Sequence, residues 1–191
     1  MSGRSGAAAS GPERRTVTDL GERVAARLRD VPDFPKPGIV FKDLTPLLAD
    51  GPLFAEVARA IAAEHAGAGF DVVAGVEARG FLFAAAIAIE TGLGVVPVRK
   101  AGKLPWRTVS AAYQLEYGEA EVEVHEDAFA GHRRVLLVDD VLATGGTLAA
   151  AADLVGRAGG ELTGVSVVVE LTALGGRDRL AQLDVHSVLA A

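Results

Sequence analysis

Patterns of buried strands and helices alternate along most of this chain, and the alternation restricts the possible folds more than any other feature. Mainly apolar runs, typical of buried strands, span residues 71–76, 95–99, 135–138 and 165–171. Helical periodicity covers residues 53–62, 81–90 and 147–158. This order predicts an α/β fold with a mainly parallel central sheet flanked by helices on both faces. Ligands of such sheets bind beyond the C-terminal ends of the strands.

The N-terminal part is predicted to lie outside this sheet. Residues 1–16 are mostly Ser, Gly, Ala, Arg and Pro, with too few large apolar groups to offset the entropy of ordering. We therefore expect a disordered tail over 1–16 and a single domain over 17–191. Residues 18–29 show helical spacing, and three prolines within residues 31–38 exclude a regular helix or a central strand there. We expect these two segments to form a short amphipathic helix and a stiff connector.

Composition and charge exclude several classes of protein. The net charge of the 191 residues is −6, and residues 1–16 contribute +2, so the remainder carries −8. Such an acidic body argues against a nucleic-acid partner. The absence of cysteine excludes disulfides, thiolate zinc sites and a cysteine nucleophile, and it suits a reducing compartment. Because no apolar run is long enough to span a membrane or serve as a secretory signal, we expect a cytoplasmic protein without a membrane partner.

The segment over residues 135–147 carries the strongest chemical signal. An apolar strand ends in Asp139 and Asp140, and a loop rich in glycine and threonine then opens a helix. Loop N–H groups, hydroxyls and the helix N-terminus together bind an anion, which predicts a phosphate site. Its residues are Ala143, Thr144, Gly145, Gly146 and Thr147. The two carboxylates would repel bare phosphate, so they suit ribose hydroxyls or Mg²⁺, held directly or through water. A phosphorylated ribose is the expected ligand.

Two further segments favour anion binding. Glu77, Ala78, Arg79 and Gly80 follow a buried strand and open a helix, which repeats the first arrangement. A cationic run without any acid follows, and we expect it to lie on a long mobile loop that acts as a lid. The cations of this run are Arg99, Lys100, Lys103 and Arg107. Two short strands are predicted next, around Gly118.

Residues 136–147 resemble the phosphoribosyl-pyrophosphate (PRPP) motif of the type I phosphoribosyltransferases, in which two apolar residues precede Val-Asp-Asp-x-x-Ala-Thr-Gly-Gly-Thr. Residues 33–43, 75–83, 103–105 and 115–118 resemble the adenine phosphoribosyltransferase family in order and spacing. The resemblance covers the chain from about residue 31 to its end. It implies the type I phosphoribosyltransferase fold with a small N-terminal hood and a flexible catalytic loop. The implied reaction is purine salvage: adenine and PRPP, bound with Mg²⁺, give AMP and pyrophosphate.

The resemblance also implies roles for single residues. Glu77, Ala78 and Arg79 correspond to the pyrophosphate loop, which often contains a cis peptide bond. Arg99, Lys100 and Lys103 would close on the leaving pyrophosphate, and in related enzymes some of these cations act across a dimer interface, so a homodimer is implied. Glu116 takes the role of general acid/base, hydrogen-bonded to N7 of the purine; such help is typically worth roughly 10²–10⁴-fold in rate.

The residues expected to bind adenine are Val40, Phe41 and Lys42. Adenine presents a donor at N6 beside an acceptor at N1, which one extended segment can match with its own C=O and N–H groups, while Phe41 stacks on the ring. A 6-oxopurine reverses both groups and would leave buried partners unpaired. A phosphoribosyltransferase for a 6-oxopurine is nevertheless one alternative. The other is a non-catalytic PRPP-sensing regulator with a DNA-binding module, which sixteen tail residues are too few to form.

Overall fold

The computed structural model describes residues 17–115, 118–131 and 133–191. The strands, in chain order, are β1 (Arg29–Pro32), β2 (Val40–Asp43), β3 (Val72–Val76), β4 (Gly94–Lys100), β5 (Thr108–Leu115), β6 (Gly118–His125), β7 (Arg134–Leu142), β8 (Glu161–Glu170) and β9 (Val185–Ala190). The helices are α1 (Val17–Ala25), α2 (Thr45–Ala49), α3 (Gly51–Glu64), α4 (Gly80–Thr91), α5 (Gly146–Arg157) and α6 (Gly176–Arg179). The predicted tail over residues 1–16 lies outside the described residues, so it stays a prediction.

A seven-stranded sheet in the order β5-β6-β4-β3-β7-β8-β9 forms the centre of the molecule. Five neighbouring strands are parallel to one another: β4, β3, β7, β8 and β9. Beyond β4, the sheet continues with β6, which is antiparallel to β4, and β5, which is antiparallel to β6. The mainly parallel sheet predicted from the sequence is therefore confirmed. Since the chain passes from each parallel strand to the next through a helix or a long connection, the loops that follow β3 and β7 lie side by side.

Helices cover both faces of this sheet, and the alternation of side chains along β7 separates two apolar cores. Val135 and Leu137 pack with α5 on one face, where Leu154 is fully buried. Leu136 and Val138 point to the other face, where they pack with residues of α3 and α4 such as Phe83. No helix in the described part of the chain is long and apolar enough to cross a membrane.

The N-terminal hood consists of α1 and the antiparallel pair β1–β2. The α1 helix packs on the sheet next to β9, and its Arg23 makes two hydrogen bonds of 2.7 Å to the carboxylate of Glu56 on α3. Pro32 ends β1, which among the described residues has one neighbouring strand, as expected for a strand that contains proline. The hood therefore places β2 beside the main sheet instead of within it.

Three elements differ from the sequence prediction. Strand β7 continues through both aspartates to Leu142, because its pairing with β8 extends as far as Leu142 and Glu170. Strand β9 was not predicted, since its apolar residues follow no period of two. The loop after β4 has only seven residues, 101–107, because β4 continues to Lys100 and β5 already begins at Thr108, each paired with β6. The predicted long loop over the cationic run is thus replaced by a short turn between two strands.

Candidate active site

The loop between β7 and α5 forms a small, open hollow of about 70 Å³ at the C-terminal end of the sheet. Its lining includes Asp139 and all five residues predicted to bind phosphate. Gly145 immediately precedes α5 and has a φ of +78°, in the left-handed region that favours glycine. The structure thus brings the predicted phosphate-binding residues together around one cavity, where the helix N-terminus favours an anion.

Two glycines allow this loop to lie directly on the turn before α6. A Cβ on Gly176 would lie 2.2 Å from the carbonyl oxygen of Ala143, and one on Gly145 would lie 2.5 Å from the carbonyl oxygen of Gly176. Arg177, the next residue, hydrogen-bonds to the carboxylate of Glu170 and donates to the carbonyl oxygen of Val185 at 2.7 Å. The phosphate loop therefore rests on a turn that an ion pair fixes to the end of β8.

Asp139 and Asp140 are both buried, and they differ in their surroundings. Burial, followed by the adjacent charge of Asp140, raises the pKa of Asp139 well above its ordinary value. The N–H of Asp140, which donates to Asp139 Oδ1 at 2.8 Å, and the charge of Arg79 oppose this increase. The pair therefore combines one carboxyl that takes up a proton easily with a second that faces a cation.

Arg79 connects three predicted parts of the site. Its Nε lies 2.6 Å from Asp140 Oδ2, and its guanidinium carbon lies 5.1 Å from the centre of the Phe41 ring. The contact with Asp140 is an ion pair without good hydrogen-bond geometry, so Oδ2 retains capacity to accept a hydrogen bond. The helix that Arg79 opens approaches Asp139 closely, because a Cβ on Gly80 would lie 2.9 Å from Asp139 Oδ1.

Glu77 contacts the cationic residues at and just after the end of β4. Its Oε2 accepts hydrogen bonds from Arg99 Nε at 3.2 Å and from the N–H of Lys100 at 3.1 Å, and Lys103 Nζ lies 4.0 Å from Oε1. Burial by itself would raise the pKa of Glu77, but these donors and charges hold it below its usual value. The peptide bond between Glu77 and Ala78 is cis, as the family resemblance suggested. The predicted pyrophosphate residues thus lie together, whereas the exposed Arg107 pairs with Glu126 instead.

The loop over residues 101–107 is held by a residue that the sequence analysis missed. Glu123 on β6 is 5% exposed, and its Oε1 accepts the N–H groups of Lys103 at 2.8 Å and Leu104 at 2.9 Å. Burial alone would raise the pKa of Glu123, but these N–H groups hold it below the ordinary value. The sequence of β6 alternates charged and apolar residues, which is typical of a half-exposed strand, so no signal in the sequence marked this glutamate as buried.

The predicted adenine segment forms β2. Val40 is exposed, Phe41 is half-buried and contacts Phe34 edge to face at 5.2 Å, and Lys42 Nζ donates to Asp30 at 2.6 Å. In the part of the chain that the structure describes, β1 is the only strand paired with β2. Alternate N–H and C=O groups of β2 point away from β1, so they remain available to a ligand. Because the amine of Lys42 is bound to Asp30, Lys42 can contact a ligand through its backbone N–H and C=O groups.

Glu116 lies outside the described residues, between the end of β5 at Leu115 and the start of β6 at Gly118. Its predicted catalytic role stays a prediction. A metal ion would find two carboxylates in the site, Asp139 and Asp140, whose oxygens have the donor chemistry that Mg²⁺ prefers. Residues 17–115, 118–131 and 133–191 contain no group of three or more potential metal ligands. The residues therefore fit Mg²⁺ that arrives bound to a phosphorylated substrate, with waters and phosphate oxygens completing its coordination.

Comparison with known proteins identifies the family. The sequence profile described as phosphoribosyl transferase domain matches residues 45–186. Adenine phosphoribosyltransferase from Salinispora arenicola is 61% identical over 170 residues, which cover 89% of this chain and 90% of the relative. The crystal structure of adenine phosphoribosyltransferase from Thermoanaerobacter pseudethanolicus superposes with a TM-score of 0.86 at 46% identity, covering 89% of this chain and 99% of the other.

The enzyme from Saccharomyces cerevisiae, solved with an imino-altritol bisphosphate and adenine, is 36% identical to this chain. Its TM-score is 0.85, with 90% of this chain and 99% of the other covered. Sequence and structure therefore agree with the motifs at the ends of β3 and β7. The chain belongs to the adenine phosphoribosyltransferases of the phosphoribosyltransferase family.

Proposed function

We propose that the protein transfers the 5-phosphoribosyl group from PRPP to adenine and releases AMP and pyrophosphate, as an enzyme of purine salvage. One observation carries this proposal: two strand–loop–helix anion sites meet at one end of the sheet, and Arg79 joins them to the hood. The loops over residues 77–80 and 143–147 supply the anion sites, and Arg79 contacts both Asp140 and Phe41. The Saccharomyces cerevisiae relative, which was solved with adenine and a bisphosphate, supports the same pair of ligands.

The phosphate loop and the aspartates would hold the phosphorylated ribose. The N–H groups and hydroxyls over residues 143–147 bind the 5′-phosphate at the start of α5. Asp139 and Asp140 accept hydrogen bonds from the ribose hydroxyls, and they hold Mg²⁺ directly or through water. When bound with PRPP, Mg²⁺ neutralises part of the pyrophosphate charge. The burial of both carboxylates keeps these polar contacts away from competing water.

The residues around Glu77 would bind the leaving pyrophosphate. Positive charge develops at ribose C1 as the bond to pyrophosphate breaks, and negative charge accumulates on the departing group. Arg79, Arg99, Lys100 and Lys103 would stabilise that charge. Arg99 and Lys103 now face the carboxylate of Glu77, so binding pyrophosphate exchanges one anionic partner for another. Mobility of the 101–107 loop during this exchange stays a prediction.

Adenine would lie against β2, with the backbone of Val40, Phe41 and Lys42 reading its N1 and N6 edge. Phe41 stacks on the purine in this arrangement, and Arg79 lies behind its ring. N9 of adenine attacks ribose C1 from the face opposite the pyrophosphate, and the configuration at C1 inverts. Glu116 would accept a hydrogen bond from N7–H and relay the proton as the purine gains positive charge.

An assay with four purines tests the proposed function. Purified protein is incubated with magnesium–PRPP and adenine, hypoxanthine, guanine or xanthine in turn, and formation of the nucleotide is measured. We expect AMP from adenine, and much slower turnover of the three oxopurines, because they leave polar groups of β2 unpaired. Equal turnover of hypoxanthine would contradict the base assignment. Binding of an operator-like DNA duplex at physiological salt without any AMP formation would instead support the PRPP-sensing regulator.

We further propose a homodimer that forms through α4. Leu82, Ala85 and Ile89 lie three and four residues apart, so they form one stripe along this helix, and all three are exposed. The opposite face of α4 is buried in the core by Phe83 and Ile87. A helix that is apolar on all sides requires cover on all sides, and a second copy of this chain supplies it. The cytoplasmic location expected from the sequence stays a prediction.

A further inference from the structure

Glu123 is a buried carboxylate whose hydrogen bonds reach the main chain of a neighbouring loop. It is 5% exposed, and Oε1 accepts the N–H of Lys103 at 2.8 Å and of Leu104 at 2.9 Å. An ionised group at this depth is costly unless it is hydrogen-bonded, so the two N–H groups and the carboxylate stabilise one another. The low pKa of Glu123 is consistent with a charged acceptor.

The loop segment that Glu123 binds is also connected to the pyrophosphate loop. Arg99 Nη1 donates to the carbonyl oxygen of Lys103 at 3.1 Å, and Arg99 Nε donates to Glu77 at 3.2 Å. Arg99 pairs directly with Glu123 in the register of β4 and β6. The contacts therefore run from Glu123 through the main chain of Lys103 to Arg99 and on to Glu77.

This arrangement separates two tasks. Glu77 contacts the cationic side chains themselves, so pyrophosphate and Glu77 compete for the same charges. Glu123 binds the backbone at Lys103 and Leu104 and does not compete for the side chain of Lys103. Lysine loses conformational freedom when it binds a ligand, and a fixed main chain reduces the freedom that must be lost at that moment.

We propose that Glu123 is a positioning residue for the pyrophosphate half of the reaction: it fixes the main chain of Lys103 so that Lys103 and Arg99 meet the pyrophosphate group of PRPP. The residue acts through the loop and does not touch the substrate. This proposal rests on the proposed function, because it assigns Lys103 and Arg99 to pyrophosphate.

The first experiment compares Glu123→Gln with Glu121→Gln. Both substitutions remove one negative charge from β6, but Glu121 is exposed, so it serves as the matched control. We expect Glu123→Gln to raise KM for PRPP, and for pyrophosphate in the reverse reaction, by about tenfold, as for loss of hydrogen bonds to a charged acceptor. KM for adenine should stay within about twofold for both variants. An equal increase in KM for adenine, or unchanged KM for PRPP, would overturn the proposal.

A double-mutant cycle with Lys103→Ala tests whether Glu123 acts through the loop. If it does, adding Glu123→Gln to Lys103→Ala raises KM for PRPP by less than about threefold, since the positioned side chain is already gone. Independent effects that multiply would show that Glu123 acts elsewhere. Should Glu123→Gln fail to fold, Glu123→Asp withdraws the carboxylate by one methylene and is used for the same comparison.

Amide hydrogen exchange separates this proposal from the proposed function. The amides of Lys103 and Leu104 should exchange at least about tenfold faster in Glu123→Gln than in the native protein, whereas β6 amides should keep their rates. Unchanged exchange at both amides would overturn the role of Glu123 whatever the enzyme activity. Failure of the native protein to make AMP, with faster exchange in the variant, would leave the loop contact established and refute only the assigned reaction.

Discussion

Among single residues, Asp139 and Asp140 show how different surroundings change the properties of two identical side chains. Burial and the charge of Asp140 raise the pKa of Asp139, while Arg79 lies 2.6 Å from Asp140. The two carboxyls therefore meet a ligand from different surroundings, and the oxygens of both can accept hydrogen bonds. Ribose presents adjacent hydroxyls, each of which is both donor and acceptor. In the proposed function these hydroxyls would donate to the two carboxylates, one of which lies beside Arg79.

Replacing Glu116 with glutamine tests the catalytic role implied by family resemblance. Glutamine has nearly the same shape but cannot take up the proton from purine N7, so we expect kcat to fall by about 10²-fold or more. The affinity for PRPP should change by less than about threefold, because the contact forms with the purine as the reaction proceeds. Steady-state kinetics and calorimetric titration of PRPP measure the two quantities.

The control for this variant is Glu161→Gln. Glu161 is exposed at the start of β8, so it lies at the N-terminal end of the parallel strands, whereas the phosphate loop lies at their C-terminal end. Its substitution should therefore leave kcat unchanged. A kcat for Glu116→Gln within about threefold of the native value would mean that Glu116 has another task.

Residue types and their spacing predicted which cations and carboxylates gather at the site, but not which of them pair. Arg79 was expected beside an anion, and its contacts with Asp140 and Phe41 join segments that are far apart in the chain. Such contacts depend on how the sheet and the hood pack, which local patterns do not encode. Glu123 was missed for the same reason, since its burial comes from the loop that covers it.

At the scale of elements, the phosphate loop depends on the turn that supports it. Gly176 begins α6, where its backbone conformation is open to any residue, so the need for glycine is purely one of space. We predict that Gly176→Ala destabilises the protein by about 1–3 kcal/mol, as for an overpacked core, because the new Cβ would collide with the carbonyl oxygen of Ala143. Displacement of the loop should also raise KM for PRPP by about tenfold or more.

Gly156→Ala is the matched control for this substitution. Gly156 lies on the exposed side of α5, and a Cβ there meets nothing within 4 Å. It should stabilise the protein by about 0.5–1 kcal/mol, since alanine favours a helix over glycine, and KM for PRPP should not change. Urea unfolding and steady-state kinetics compare the two variants. Native kinetics in Gly176→Ala would show that the loop tolerates a shift of the turn.

Elements with strong local patterns were predicted well, and elements that depend on a neighbour were not. Strand β3 and helix α4 carry continuous apolar runs, and Gly92 ends α4 with a φ of +71°, so both were visible in the sequence. Strand β9 has no apolar period, and it forms by pairing with β8. The extension of β7 past Asp140 likewise follows from pairing with β8, which no property of the aspartates indicates.

At the scale of the whole molecule, the exposed apolar face of α4 bears on whether two copies of the chain assemble. It is buried on one face against β3 and β7, while its exposed stripe of Leu82, Ala85 and Ile89 faces outward. Strand β4 follows it, and Val95 of that strand is 41% exposed. Exposed apolar residues grouped along one face of a helix mark an interaction site in proteins that are otherwise well packed. In a symmetric dimer the α4 stripe of one copy packs against the α4 stripe of the other, so one exposed surface per chain is enough to form the dimer.

Substituting arginine for Ile89, which is 83% exposed, tests this assembly. We expect the native chain of 19.6 kDa to sediment as a dimer, and Ile89→Arg to sediment as a monomer because a charge would be buried without a partner at the interface. The control Ala63→Arg, on an exposed position of α3, should remain dimeric. If cations act across the interface, KM for PRPP should rise in the monomer. A native monomer at micromolar concentration, or a dimeric Ile89→Arg, would place the interface elsewhere or remove it.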